Sequence, residues 1–387
     1  MTAAITGAVD ATLRSAHRAW VEIDHSALVD NLSALRRLAG GEKLVIAVVK
    51  ANAYGHGDVE VARTLLGAGA EQLAVATLPE ALRLRAAGIV APVIVLWGLA
   101  APGEAEAAIA ADLQPIVHSD HAVALLEAAA AREGRRAAVH LKIDTGLGRQ
   151  GVEFESAVEA AIGIARSRHL RLVGTFSHLA AAGEDDSYTE VQLLRLAQVL
   201  DAMRSAGVDP GLVHVSATSG ILDGSAAFAD AVRPGLGLYG MLPAWAADHE
   251  AGLRPALSLR ALPLRIFDVA AGGAVGYGLR FRARRATRLA TLAIGYGDGW
   301  PRSHANNGSA LVGGRRVPIV GAISMDGLTV DLGETDGVTY DHEFVLIGEQ
   351  GTERITVDDV AAERRTINYE VTTALRERLP RLHLASR

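Results

Sequence analysis

Between residues 44 and 240, short apolar β-branched runs alternate with longer stretches whose apolar positions recur at helical spacing. The runs are "LVIAVV" (44–49), "LAVAT" (73–77), "VIVLW" (93–97), "PIV" (115–117), "VHLKI" (139–143), "LVGTFS" (172–177), "VHVS" (213–216) and "AVR" (231–233). Continuous apolar runs of this length predict strands buried on both faces, and the intervening segments, such as "DVEVARTLLGAG" and "YTEVQLLRLAQVLDAMRSAG", predict crossover helices that end near a glycine. Eight such units within about 200 residues favour a (β/α)8 barrel over an open doubly wound sheet. After about residue 253 the texture changes to alternating strand patterns and Gly-rich turns, as in "LSLRALPLRIFDV", "TRLATLAI" and "EFVLIG", with helices expected near "VDDVAAERR" and "YEVTTALRERL". The expected organisation is an N-terminal extension (1–17), a barrel (18–252) and a mostly β second domain (253–387).

A chain of 387 residues that is 50% hydrophobic has ample material for a core, and its net charge of -6 gives no basic stripe for nucleic acid. It has no cysteine, which removes disulfides, thiol nucleophiles and Cys-based metal sites. The long uncharged stretch 86–103 is broken by Gly88, Pro92, Gly98 and Pro102, so a strand between turns is expected there and not a membrane span. The N-terminus lacks the basic and apolar regions of a signal peptide. The expectation is a soluble, cytoplasmic protein without nucleic-acid or membrane partners.

Only three of 38 basic residues are lysine, and one of them, Lys50, closes the first apolar run in "VVKANAYGHG". An amine can lose its proton and attack a carbonyl, which a guanidinium effectively cannot. In a barrel, ligands gather where strands end and the next loops begin. Lys50, Lys142, Asp144, Arg149, His178, Ser219 and Arg233 all fall at such places. The loops "SATSG" (216–220) and "RPGLGLYG" (233–240) follow the last two strands, where barrels commonly hold phosphate. A phosphate together with a lysine-bound carbonyl points to pyridoxal phosphate. A tight turn closing the barrel explains "RPGLGLYG" equally well. No metal site is expected.

The chain resembles bacterial alanine racemase across nearly its whole length. The resemblance is carried by "RAWVEID" (18–24), "AVVKANAYGHG" (47–57), "LKIDTGLGRQG" (141–151), "VRPGLGLYG" (232–240), "VGYG" (275–278), "AIGYGDGWPR" (293–302), "ISMDG" (323–327) and "TINYEV" (366–371), in family order. It implies a pyridoxal-phosphate enzyme that interconverts L- and D-alanine, with Lys50 joined to the cofactor as an imine and serving as one base. Tyr277 would be the opposing base, contributed by the neighbouring subunit of a homodimer. A phenol with a pKa near about 10 is a poor base at neutral pH, so nearby positive charge is expected to lower it, with His178 the candidate. Arg233 would face the pyridine nitrogen, and Arg149 the cofactor's phenolic oxygen and the substrate carboxylate. Lys142 matches a position sometimes carbamylated, although a salt-bridged barrel lysine is an equal reading. Tyr54, Ser219, Gly235, Leu236 and Tyr369 map onto the cofactor cradle, and Met325 and Asp326 onto the carboxylate end of the substrate site. Thr218, Ala322 and Trp97 depart from the common pattern and leave serine or a broader substrate set open. A decarboxylase of the same fold is a further alternative, disfavoured by the absence of cysteine.

Overall fold

The computed structural model describes residues 17–384, so the expected extension lies outside the described residues except for His17. The chain divides into two compact units, one of residues 28–53 and 58–254, the other of residues 17–27, 54–57 and the chain from Pro255 onward.

The first unit is the expected barrel. Strand β1 (Ala19–Asp24) lies in the other unit, and the barrel strands are β2 (Leu44–Val48), β3 (Gln72–Val75), β4 (Val93–Val95), β5 (Gln114–Val117), β6 (Ala137–Asp144), β7 (Leu170–Phe176), β8 (Leu212–His214) and β9 (Ala231–Val232). Each of the eight apolar runs contributes one of them. All neighbouring pairs are parallel, and β9 closes the ring on β2 through Ala231 opposite Leu44 and Val232 opposite Val45. Val45, Ile46 and Ala47 are wholly buried, as the unbroken apolar runs require of strands covered on both faces. The crossover helices are started by local caps. Ser119 Oγ accepts from Ala122 N (3.2 Å) before the helix Asp120–Arg132, and Asp185 Oδ1 accepts from Tyr188 N (2.9 Å) before Asp186–Ser205.

The second unit is built on a twisted sheet. Its strands are β10 (Leu257–Ala261), β11 (Pro263–Val269), β12 (Thr287–Leu292), β13 (Ser309–Val312), β14 (Arg315–Val320), β15 (Leu328–Asp331), β16 (Phe344–Gln350), β17 (Glu353–Ile355) and β18 (Arg381–Leu384). Their order is β11-β12-β15-β14-β13-β16-β10-β1-β18, with β17 added to β16. The barrel's expected start at residue 18 is thereby corrected: β1 pairs antiparallel with β10 and parallel with β18, far along the sequence. The physical reason lies in the strand itself. Trp20 is buried and donates to Glu22 (3.1 Å), whose other oxygen accepts from Arg260 Nε on β10 (2.7 Å), so the strand carries a partnered acid that only this sheet satisfies.

The segment Tyr54–Gly57 also belongs to the second unit. Arg381 Nε donates to Gly55 O at 3.1 Å, and a Cβ on Gly55 would stand 2.1 Å from Thr372 O. Gly55 also has φ +86°, so it is the one residue type that admits this approach. Gly55→Ala is expected to cost about 2 kcal/mol or more and to lower the thermal midpoint by several degrees; calorimetry checks this, and an unchanged midpoint contradicts the close approach.

Candidate active site

Barrel strand ends bring the basic residues to one place. Past β2, Val48 N donates to Pro234 O (3.0 Å) and Val49 N to Ala74 O (2.9 Å), which ties the chain to both neighbouring strands just before Lys50. Four consecutive residues, Ala51 to Tyr54, then have φ between +52° and +54°, a single left-handed turn. Such a conformation costs about 1–2 kcal/mol per non-glycine residue. It is held by Ala51 N donating to Glu80 Oε1 (2.8 Å) and by Asn52 Oδ1 accepting from Asp58 N (3.0 Å). Strain of this kind, repaid by surrounding bonds, marks the segment that carries Lys50 as a positioned one.

Lys50 Nζ has no hydrogen-bond or ion-pair partner among the described residues of the chain. Burial lowers its pKa from the usual amine value, Arg149 and then Arg233 lower it further, and Glu80 opposes them. Lys142, on β6, is brought down to about 8 by burial and then by Arg149. Its Nζ donates to Gln150 Oε1 (2.9 Å), whose amide donates to Trp97 O (2.5 Å). Arg149 itself lies 5.8 Å from the centre of the Trp97 ring. The salt-bridged reading of Lys142 is not what the structure has: its partner is a neutral amide.

Arg233 follows β9 and is buried, with every acceptor around it uncharged. Nη1 donates to His214 Nδ1 (2.7 Å), and Nη2 to Ser177 O (3.0 Å), Val215 O (3.1 Å) and His178 Nδ1 (3.2 Å). Burial brings its pKa to about 9, which leaves it charged at neutral pH. Because an arginine only donates, His178 Nδ1 must be bare and its proton sits on Nε2. Burial and the charges of Arg233, Arg149, Lys142 and Lys50 hold His178 down to about 3. The expectation that His178 supplies positive charge to a tyrosine is therefore corrected: it is a neutral imidazole, and the charge behind it belongs to Arg233.

The loops after β8 and β9 are joined by Thr218, whose hydroxyl accepts from Gly235 N (3.3 Å) and Gly237 N (3.1 Å). This departure from the common pattern is a buried brace between the two loops. Ser219 Oγ and Leu236 N–H remain without partners among the described residues, whereas Gly235 N–H is taken by Thr218.

Within the second unit, Tyr54 and Tyr369 stand with ring centres 6.1 Å apart, and burial raises the pKa of both hydroxyls, so both are neutral donors. Tyr277 sits between Gly276 (φ +77°) and Gly278 (φ +67°), in the short connection between the paired segments Ala274–Val275 and Phe281–Arg282. It is 74% exposed, unusual for so large a ring. Met325 is also exposed, and Asp326 Oδ1 accepts from Arg378 Nη2 (2.8 Å), whose Nε pairs with Asp298 (3.2 Å). The "ISMDG" and "AIGYGDG" segments are thus fastened together. Gly297 N donates to Met325 O (2.8 Å), and a Cβ on Gly295 would lie 2.3 Å from Ser324 O. No group of three His, Asp or Glu side chains able to hold a metal occurs among the described residues, and no described helix is long and apolar enough to cross a membrane.

Sequence reasoning missed His214, Ser177 and Gln150, which position Arg233 and Lys142. The signal for the first was available in "VHVS", where a histidine interrupts a run of apolar strand residues.

The strand ends of the barrel carry an unpaired, acidified lysine within electrostatic reach of a buried arginine, an arrangement suited to capturing a carbonyl group. The alanine racemase N-terminal domain family matches residues 23–243 and its C-terminal domain family residues 256–383. Alanine racemase 2 of Caldanaerobacter subterraneus subsp. tengcongensis is 38% identical over 366 residues, covering 94% of each chain. The crystal structure of alanine racemase from Streptomyces lavendulae superposes with a TM-score of 0.89 at 37% identity, covering 96% of this chain and 98% of that one. That of Bartonella henselae, with covalently bound pyridoxal phosphate, gives 0.82 at 29% identity, with 95% and 100% coverage. The chain belongs to the alanine racemase family, a family of isomerases.

Removing the Arg149 charge should raise the Lys50 amine toward its ordinary value. Arg149→Met is expected to move the pH midpoint of borohydride-trapped aldehyde capture by Lys50 upward; a downward or absent shift contradicts the electrostatic assignment.

Proposed function

We propose that the chain interconverts L- and D-alanine as a homodimer, with pyridoxal phosphate joined to Lys50 and two bases, Lys50 and the partner subunit's Tyr277, on opposite faces of the α-carbon. The observation that carries this reading is the unpaired Lys50 amine, acidified by burial and by Arg149. The residues present fit the cofactor: an amine for its aldehyde, a buried cation with only neutral acceptors, and free donors at Ser219 and Leu236 for a phosphate. The resemblance assigns Tyr54 and Tyr369 to the cofactor cradle as well, and burial keeps both hydroxyls neutral donors. When bound, the cofactor supplies an electron-withdrawing ring that makes the α-proton of an attached amino acid acidic.

Lys50 Nζ takes or returns the α-proton on the face used by the D-enantiomer, and its lowered pKa keeps a larger share of it in the neutral, proton-accepting form. Tyr277, exposed on its own chain, is free to serve the other face in a neighbouring copy. Arg149 binds the substrate carboxylate, and Met325 and Asp326 line that end of the site from the partner. Arg233 would stand at the pyridine nitrogen and, staying charged, would give it no proton, which would limit the ring's electron withdrawal and favour return of a proton to the α-carbon over transamination. At a pKa of about 8, about a tenth of Lys142 is neutral at pH 7, enough to take up carbon dioxide and present a carbamate to Arg149.

In deuterated buffer, Tyr277→Phe is expected to lose at least about a hundredfold of α-deuteration starting from L-alanine while retaining most of it from D-alanine, and Lys50→Ala to lose both. Equal loss from the two enantiomers in Tyr277→Phe contradicts the two-base arrangement. Mixing the two inactive variants should restore about a quarter of wild-type activity, because one hybrid site in two regains both groups; no recovery contradicts a site shared between subunits.

A further inference from the structure

The buried polar chain beneath Arg233 runs deeper than the residues that touch it. Arg233 Nη1 donates to His214 Nδ1 (2.7 Å), His214 Nε2 lies 3.0 Å from His140 Nδ1, and His140 Nε2 lies 3.0 Å from Gln114 Oε1. These four residues come from the ends or interiors of β9, β8, β6 and β5, and the two imidazoles are 0% and 1% exposed. An arginine cannot accept, so His214 Nδ1 is bare and its proton sits on Nε2. That proton can go only to His140 Nδ1, so His140 is also protonated on Nε2 and donates to the carbonyl of Gln114. One donor direction thus runs through the whole chain, set at one end by the guanidinium and at the other by the amide oxygen.

The fold makes room for this chain at some cost. The pairing of β6 with β7 shifts register between Val139 and His140, and a Cβ on Gly174 would stand 2.4 Å from His140 Nδ1. The Phe176 ring stacks on His214 at 4.6 Å and lies 5.1 Å from the Arg233 guanidinium, fixing both planes. Burial and the Arg233 charge keep both imidazoles neutral, His140 down to about 3. A purely packed barrel interior would use apolar side chains here, since two buried imidazoles and an amide contribute little net stability even when satisfied.

We infer that His140, backed by Gln114, is a positioning residue for the reaction: through His214 it holds the Arg233 guanidinium in one orientation. This rests on the proposed role of Arg233, and the two are tested separately. Protein labelled with 15N-histidine, without cofactor at pH 7, is examined by long-range 1H–15N correlation, with the signals assigned from His140→Asn and His214→Asn. Both rings are expected as the Nε2–H tautomer. A proton on Nδ1 of either ring, or an imidazolium, overturns the inference whatever the enzyme does. Racemisation of L-alanine by the loaded wild-type enzyme tests the underlying reading on its own. In the same assay the isosteric pair His140→Asn and His140→Leu separates orientation from packing, because the Asn Oδ1 can stand where Nδ1 stood and accept from His214. His140→Asn is expected within about threefold of wild-type kcat, and His140→Leu at least about tenfold lower with KM changed less than about threefold. Equal kcat in the two variants, or a higher one in His140→Leu, overturns the inference. Should His140→Leu fail to fold, the wild-type spectra alone decide.

Discussion

Four cationic side chains, Lys50, Lys142, Arg149 and Arg233, act on one another at one end of the barrel, and among the described residues none of them forms an ion pair. Like charges in a partly desolvated place repel, and the group that can relieve the repulsion does so by giving up its proton. Arg233 stays charged, while the amines of Lys50 and Lys142 lose their protons more readily than an exposed lysine does. Burial first, and the neighbouring positive charge after it, account for the lowered pKa of Lys50, for Lys142 near 8, and for the neutral state of His178 and His214. Glu80 and Asp144 oppose the lowering at Lys50 and Lys142 without forming an ion pair with either. Under the proposed function, a cofactor phosphate and a substrate carboxylate are the anions that such a cluster would receive.

The fold serves that constraint in two ways. Parallel strands bring Lys50, Lys142, His178 and Arg233, which are far apart in sequence, to the same end of the barrel. The interior polar chain then fixes the guanidinium that cannot be neutralised, using acceptors that carry no charge. A carboxylate in the place of His214 would have satisfied Arg233 more strongly and cancelled its effect on Lys50. Neutral imidazoles orient the guanidinium and leave its field intact. Within the second unit, buried phenols stand near one another and a glycine-permitted close approach fastens the "AIGYGDG" and "ISMDG" loops together.

Much of this was legible in the sequence. All eight barrel strands are legible as apolar runs, because a strand covered on both faces keeps a mostly apolar sequence even where single polar residues such as His140, Lys142 and His214 interrupt it. Lys50, Lys142, Arg149, His178 and Arg233 were placed at strand ends by the same reading, and the structure brings them within electrostatic reach of one another. What was not legible depended on pairing between distant segments. Nothing local in "AWVEID" says that it pairs with β10 and β18, over 200 residues away, so the barrel was expected to start too early. The charge state of His178 was misjudged for a related reason: its neighbours come from three other strands and could not be counted along the chain. His140 and His214 were overlooked because a histidine within an apolar strand is ordinarily a satisfied core residue; only their alignment across the barrel distinguishes them.

The central claim is that the cation cluster presents one reactive amine, at Lys50, to an aldehyde. Loading the protein with pyridoxal phosphate, reducing with borohydride and mapping the labelled peptides measures this directly. A single pyridoxyl group on Lys50 is the expected result. A label on Lys142 or Lys43, or none that survives reduction, would contradict it.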